Sequence, residues 1–154
     1  MVILNSNEQE YLLHAIEKGR AVAAPRDFFL WSQGALQALL PHRVLLCLEL
    51  GDDGRVRAVE CLHSVTLASV QSAALCDASG GPANAWLAAW RASHGQPLAL
   101  EAGEFGHGLV HGAGDVAFAL LGMPYAAGAR EARLLQMLIP CMQQAQQGMA
   151  LQQG

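Results

Sequence analysis

The sequence predicts an α/β fold of the α+β kind: an antiparallel sheet built from hairpins, with helices packed on it. Three observations carry this expectation. Two hairpin signatures, each a strand, a tight turn and a strand, stand apart in the chain at residues 43–64 and 108–122. Apolar residues recur at spacings of three and four before, between and after them. Neither face of the first hairpin is cleanly polar, which is how a sheet covered on both sides reads.

Helix one is expected to begin at Ser6, with Gln9 three residues on completing a capping box. Tyr11, Leu12, Ala15, Ile16 and Gly19 form its apolar row, Glu8, Glu10, Glu17 and Lys18 lie mainly opposite, and it stops near Gly19-Arg20. Pro25 suits the first turn of helix two, where its missing N–H costs nothing. Phe28, Trp31, Ala35 and Leu39 make one row of that helix, and Phe29, Ser32, Leu36 and Leu40 the next. Leu30 stands on the remaining face, leaving Gln33 and Gln37 as the polar marks, so the helix is expected to be buried nearly all round. Gly34 inside it costs about 1 kcal/mol relative to Ala, which predicts the close approach of another element. Pro41 takes Leu40 out of helical geometry and ends the segment.

A strand over residues 43–50 pairs with one over residues 55–64 across the turn "GDDG", where Asp53-Gly54 suits a type I′ turn. The expected register sets Val44, Leu46, Leu48 and Leu50 against His63, Cys61, Val59 and Arg57. Leu45, Cys47, Val56, Ala58 and Leu62 then fall on the other face, with Glu49 and Glu60 among them. Residues 64–75 read equally as strand or short helix, and "CDASGGP" (76–82) as a loop. Helix three, "ANAWLAAWRASH", carries Trp86, Leu87 and Trp90 on one side and stops at Gly95. Residues 95–108 read as an irregular connection. The second hairpin is "LVHG", the turn "AGD" and "VAFALLG". The last helix runs from about Ala129 to Leu151, apolar at Leu134, Leu135, Leu138, Cys141, Met142, Ala145 and Met149, with Gln136, Gln143, Gln144, Gln146 and Gln147 opposite. Pro140 in its interior is expected to bend it.

Composition bounds the function. With 154 residues the chain is expected to be a single domain. Apolar residues make up 53% and charged residues 14%, against about 25% charged in typical domains. So thin a charge cover, together with the amphipathic terminal helices, suggests a homodimer formed through those helices. The net charge is −4, and eight dispersed arginines with the single Lys18 form no basic stripe, which argues against direct nucleic-acid binding. The apolar run at residues 28–50 is too interrupted for a membrane span. No secretory leader is read in "MVILNSNEQE". Cys47, Cys61, Cys76 and Cys141 have neither CxxC nor zinc spacing. Free thiols in a reducing cytoplasm are the expectation.

No catalytic constellation stands out, and no cofactor or metal is called for. No serine sits in a nucleophile elbow, and "GRAVAAP" and "GPANAW" lack the pattern of a phosphate loop. His107 and His111 in "HGLVH" share one face of a strand, but a metal site needs a third ligand that the sequence does not nominate. The candidate ligand-binding residues are Trp31, Trp86 and Trp90, with Cys61 and His63 on the facing strand. The pocket they suggest lies between the sheet and helix three. Tryptophans at helical spacing are also ordinary core.

The stretch "DFFLWSQGALQALLPHRVLLC" (27–47) resembles the amino-terminal sensory region of LuxR-type transcriptional regulators, in particular the EpsA-type regulators linked to exopolysaccharide and exosortase loci. "WRASHGQPLALEAGEF" (90–105) and "LLQMLIPCMQQA" (134–145) resemble that family's middle region and last sensory helix. The resemblance implies a GAF-like sandwich, an antiparallel sheet with helices on both faces, often dimeric through terminal helices. In that family a helix-turn-helix follows; the chain ends at Gly154, so DNA binding is expected of a parent protein only. The acyl-homoserine-lactone receptors of the wider group use a tryptophan, tyrosine and Asp-Pro set. Asp-Pro is absent here, and Tyr11 and Tyr125 are not placed to match, so no pocket residue carries over. The expected function is that of a non-catalytic regulatory sensor or dimerisation domain with an unknown small-molecule ligand. The alternatives are a standalone GAF-like interaction module without a ligand, and a small enzyme using His107 or His111.

Overall fold

The computed structural model describes residues 4–153, and the side chains of residues 4–147. The chain divides into two compact units, one made of Met1–Pro41 with Ala129–Gly154 and the other of His42–Gly128.

The first unit is helical. Helix α1 spans Ser6–Arg20. Its capping box is set one residue earlier than expected: the Asn5 side chain accepts from the Glu8 amide at 2.8 Å, and Glu8 Oε1 accepts from the Asn5 amide at 3.1 Å. Asn5 outcompetes Ser6 because its extended backbone points the side chain back at the first-turn amides. Leu12, Ala15 and Gly19 are buried, whereas Tyr11 is 56% exposed.

Helix two arrives in three pieces: α2 over Pro25–Trp31, a π-helical turn over Ser32–Leu36, and α3 over Gln37–Leu39. Leu40 leaves helical geometry before Pro41, as expected. Burial is one-sided, however. Phe28, Trp31, Leu36, Leu39 and Leu40 are buried, while Leu30 is 55% exposed and Phe29 is also open. Gly34 also departs from expectation: a Cβ built there meets nothing within 4 Å, so its missing side chain leaves open space and accommodates no neighbour.

Helix α6, Ala129–Gln153, contains Pro140 and packs on α1 and α2. Gly19 makes the first of these approaches possible, since an added Cβ would lie 3.1 Å from the Cys141 sulfur. Arg130 forms ion pairs with Glu8 of α1 and with its neighbour Glu131. Leu134, Leu135, Leu138, Cys141, Met142 and Ala145 are buried. The apolar stripe expected to meet a twin helix is therefore already occupied within the single chain; Met149 lies outside the described side chains.

The second unit holds a five-stranded antiparallel sheet. Its strands are β1 (Val44–Leu50), β2 (Val56–His63), β3 (Leu98–Glu101), β4 (His107–Ala113) and β5 (Val116–Met123), in the order β2-β1-β5-β4-β3. The fold class is thus α+β, as the hairpins foretold. The first-hairpin register holds for Val44 with His63, Leu46 with Cys61 and Leu48 with Val59. A bulge at Glu49/Leu50 then pairs Leu50 with Val56 in place of Arg57, bringing the buried Val56 to the face of Leu50. The turn is not type I′, because Gly54 alone has a positive φ (81°); its amide closes onto the Gly51 carbonyl at 2.9 Å, with the glycine at the bulge position.

Helices α4 (Ser69–Cys76) and α5 (Ala83–Ala92) cover one sheet face. Leu75 and Leu87 join Val44, Leu46, Leu48, Val110, Ala119 and Leu121 in its core. Of the ambiguous segment at residues 64–75, the part from Ser69 on is helix α4, from which Leu75 reaches this core, while residues 64–68 are an irregular connection. Strand β3 lies in the stretch expected to be irregular. At four residues, paired only with β4, it leaves little periodicity to detect.

Candidate functional site

Four of the five residues nominated from sequence belong to the face under α4 and α5. Cys61, Trp86 and Trp90 pack, half-buried, against its core. His63 shares that face by register but is exposed, and its Nδ1 lies 2.6 Å from the Val65 carbonyl oxygen. Trp31 belongs to the helical unit. It is buried there, its Nε1 donating to the Ala15 carbonyl at 2.8 Å and its ring 5.8 Å from that of Phe28.

The two α5 tryptophans have local partners. Trp86 meets Phe105 edge-on, with ring centroids 6.3 Å apart. Trp90 Nε1 donates to His111 Nδ1 at 3.2 Å, just beyond the end of the β3 pairing at Val110. His111 is buried, and desolvation holds its pKa below the usual histidine value. The space beneath α5 is filled by Leu46, Leu48, Leu75 and Leu87, none of them more than 2% exposed.

An open cleft lies elsewhere on this unit, between the β1–β2 turn and α5. It measures about 940 Å³ and is walled by residues 51–57 with Ser79, Asn84, Leu87, Ala88 and Arg91. Local chemistry holds its rim. Asn84 Nδ2 donates to the Ala78 carbonyl at 2.6 Å, and its Oδ1 accepts from the Val56 amide at 3.4 Å. Asp77 accepts from the amides of Ser79 and Gly80 at 3.0 and 2.9 Å, which keeps its carboxyl below the ordinary range. The Arg91 guanidinium lies over Gly54, where an added Cβ would sit 3.2 Å from it. Arg57 is ion-paired with Glu49. The walls present Arg55, Arg57 and Arg91 beside Asp52 and Asp53, with neither histidine nor cysteine. Such a lining suits binding a small polar or anionic molecule by hydrogen bonds and charge.

None of the residues nominated from sequence lines this cleft. Arg55 and Arg57 stand two residues apart on the first hairpin, and only the packing of α5 brings the distant Arg91 to the same cleft. The one available signal was Arg55 and Arg57 directly after a turn.

The helical unit has its own apolar groove of about 570 Å³, walled by Tyr11, His14, Lys18, Leu30, Trp31 and Ala38 among others and passing Gly34. Among the nominated residues, Trp31 alone contributes to it.

His107 and His111 both lie on β4, as expected, yet they are engaged separately: His107 Nδ1 lies 2.8 Å from Glu101 Oε1, and His111 bonds Trp90. Among the described residues, no group of three or more His, Cys, Asp or Glu side chains is arranged to hold a metal ion. Burial pushes the Cys47 thiol well above its ordinary pKa, and those of Cys61 and Cys141 up to about 11. Thiols so held stay protonated and are poor nucleophiles. Among the described residues, no helix is long and apolar enough to cross a membrane. Searches against protein-family models and curated proteins return no match for this chain.

Proposed function

We propose that this chain is a non-catalytic regulatory domain, GAF-like in architecture, that senses a small molecule in the cytoplasm for a LuxR-type transcriptional regulator of the EpsA kind. The cleft beside α5 carries the sensing half of this reading. At about 940 Å³ it falls in the size range of small-molecule sites, roughly 300–1,000 Å³. Its arginine-rich wall favours a ligand bearing carboxylate or phosphate. The regulator half rests on the likeness of residues 27–47 to that family, and the antiparallel sheet with α4 and α5 on one face is compatible with it. Control of exopolysaccharide synthesis, with DNA contacted by a helix-turn-helix in a parent protein, follows from the same likeness.

The test is native mass spectrometry of freshly purified protein, followed by thermal denaturation against anionic metabolites. A co-purified or stabilising ligand whose effect disappears in Arg91→Ala supports the reading. A protein that carries no small molecule and shifts with none of them argues for the second reading, a ligand-free interaction module. The filled core beneath α5 and the groove flanked by exposed Tyr11 and Leu30 favour that alternative. Homodimerisation, proposed here through the exposed side of α1 and α2 in place of the buried α6 stripe, is read from light scattering of wild type and Leu30→Asp; a monomeric wild type removes it.

A further inference from the structure

The groove of the helical unit lies between α1 and the segment that runs from α2 to α3, which α1 packs against along all three of its pieces. Tyr11, His14 and Lys18, at helical spacing on α1, make one wall. Asp27, Leu30, Gly34 and Ala38, at helical spacing on the second segment, make the other. Lys18 and Asp27 are the lining residues nearest the connection between the segments, where Ala21 and Val22 also line the groove, so the charges gather at that end. Tyr11 and Leu30 are exposed, and large apolar side chains facing one concavity mark a binding site. The space between them is open, because Gly34 sits on the π-helical turn where an added Cβ would meet nothing within 4 Å. Trp31 adds a flat apolar surface whose N–H is already bonded to the Ala15 carbonyl.

The two charges at the polar end are not equally free. Asp27 Oδ2 accepts from the amides of Ala23 and Ala24 at 3.3 and 3.2 Å, where α2 begins. Lys18, the only lysine of the chain, has no ion pair or side-chain hydrogen bond among the described residues. The uncompensated charge of the groove is therefore positive, at one end of an apolar trough.

We infer that this groove binds a free, medium-chain alkyl carboxylate, its head on the Lys18 ammonium and its chain lying over Gly34 between Tyr11 and Leu30. A carboxylate meets the lone ammonium by a charge-assisted hydrogen bond, and the chain covers apolar surface now open to water. Lys18 and Tyr11 stand two helical turns apart, about 10 Å along the axis, which suits a chain of about eight to ten carbons. The site is separate from the cleft beside α5 and holds whether or not that cleft takes a ligand. Tyr11 and Leu30 also belong to the surface proposed above for dimerisation, so the carboxylate and a second copy compete for it.

The experiment is calorimetric titration of the full chain with decanoate, kept below its micelle concentration. One decanoate per chain is the expected result. Octanoate, which buries two fewer methylenes, is expected to bind roughly tenfold more weakly. Decan-1-ol keeps the chain without the charge and is expected to bind several-fold more weakly than decanoate. Lys18→Gln, a change at an exposed position, is expected to erase that difference between acid and alcohol. Gly34→Leu fills the trough and is expected to abolish binding while its melting temperature stays at or above that of wild type. Arg91→Ala is expected to bind decanoate as wild type does, which separates this site from the cleft. A wild-type chain that binds no decanoate overturns the inference, as does a folded Gly34→Leu that binds it equally well. A preference for decyltrimethylammonium over decanoate overturns it by giving the head to Asp27. Binding to phosphatidylglycerol vesicles that Gly34→Leu abolishes overturns it in favour of a membrane surface. So does a dimer that Leu30→Asp disrupts but saturating decanoate leaves intact by light scattering.

Discussion

The indole N–H of Trp90 points at Nδ1 of His111 across 3.2 Å, tying α5 to β4 by a bond that exists only while that nitrogen is unprotonated. Desolvation depresses the His111 pKa, so the unfolded chain, with its histidine near the usual ~6.5, binds a proton more readily than the folded one. The stabilisation is therefore complete above about pH 6.5 and is lost as pH falls through the depressed folded value. Urea midpoints measured from pH 8 to pH 5 are expected to decline for wild type, and His111→Phe is expected to flatten that part of the curve. An unchanged slope in the variant would assign the decline to other groups.

Trp31 joins α2 to α1 through the Ala15 carbonyl. Trp31→Phe keeps most of the ring and removes the donor, for an expected loss of about 1 kcal/mol. Trp31→Ala opens a cavity in the helical core and is expected to cost about 3–5 kcal/mol. Equilibrium unfolding of the two variants separates the hydrogen bond from the packing.

Two glycines predict opposite outcomes. A Cβ at Gly34 meets nothing, so Gly34→Ala is expected to raise stability by about 0.5–1 kcal/mol through helix propensity. A Cβ at Gly81 would lie 2.2 Å from the Ala74 carbonyl oxygen and 2.7 Å from that of Asp77, both backbone atoms. Gly81→Ala is therefore expected to cost about 1–3 kcal/mol. Thermal melts of the pair, run side by side, give the signs.

Asn84 bridges the start of β2 to the loop before α5. Asn84→Ala removes both bonds and is expected to cost about 1–2 kcal/mol. Hydrogen exchange at the Val56 amide is expected to quicken in the variant while the amides of β5 stay protected. Uniform acceleration throughout the sheet would mean that Asn84 acts on global stability instead.

These contrasts track what the sequence made legible. Apolar runs on either side of the turns "GDDG" and "AGD" identified the two hairpins, and the Val44–His63, Leu46–Cys61 and Leu48–Val59 pairings followed from counting back from the first turn. The count failed at Leu50, because a bulge adds a residue that no composition announces. Strand β3 escaped notice because four residues barely establish a period. Helix two looked buried on every side because its hydrophobicity is not confined to one face; Leu30 remains exposed all the same. Of the nominated site residues, Cys61, Trp86 and Trp90 pack against one core and Trp31 belongs to the helical core, while the cleft arginines escaped notice. The packing of α5, which brings Arg91 to the same cleft as Arg55 and Arg57, leaves no local trace.

The wide turn at Ser32–Leu36 has a bearing on how this chain can vary in length. Where i→i+5 bonding replaces i→i+4, one residue per turn is surplus to ordinary winding. Gly34 sits within that turn, exposed and touching no neighbour. A chain shortened by this one residue would tighten to regular α geometry and still keep Trp31 and Leu36 one turn apart. Single-residue deletions should therefore be absorbed here, whereas the same deletion beside Phe28 or Leu39 would swing half the segment's side chains off the core.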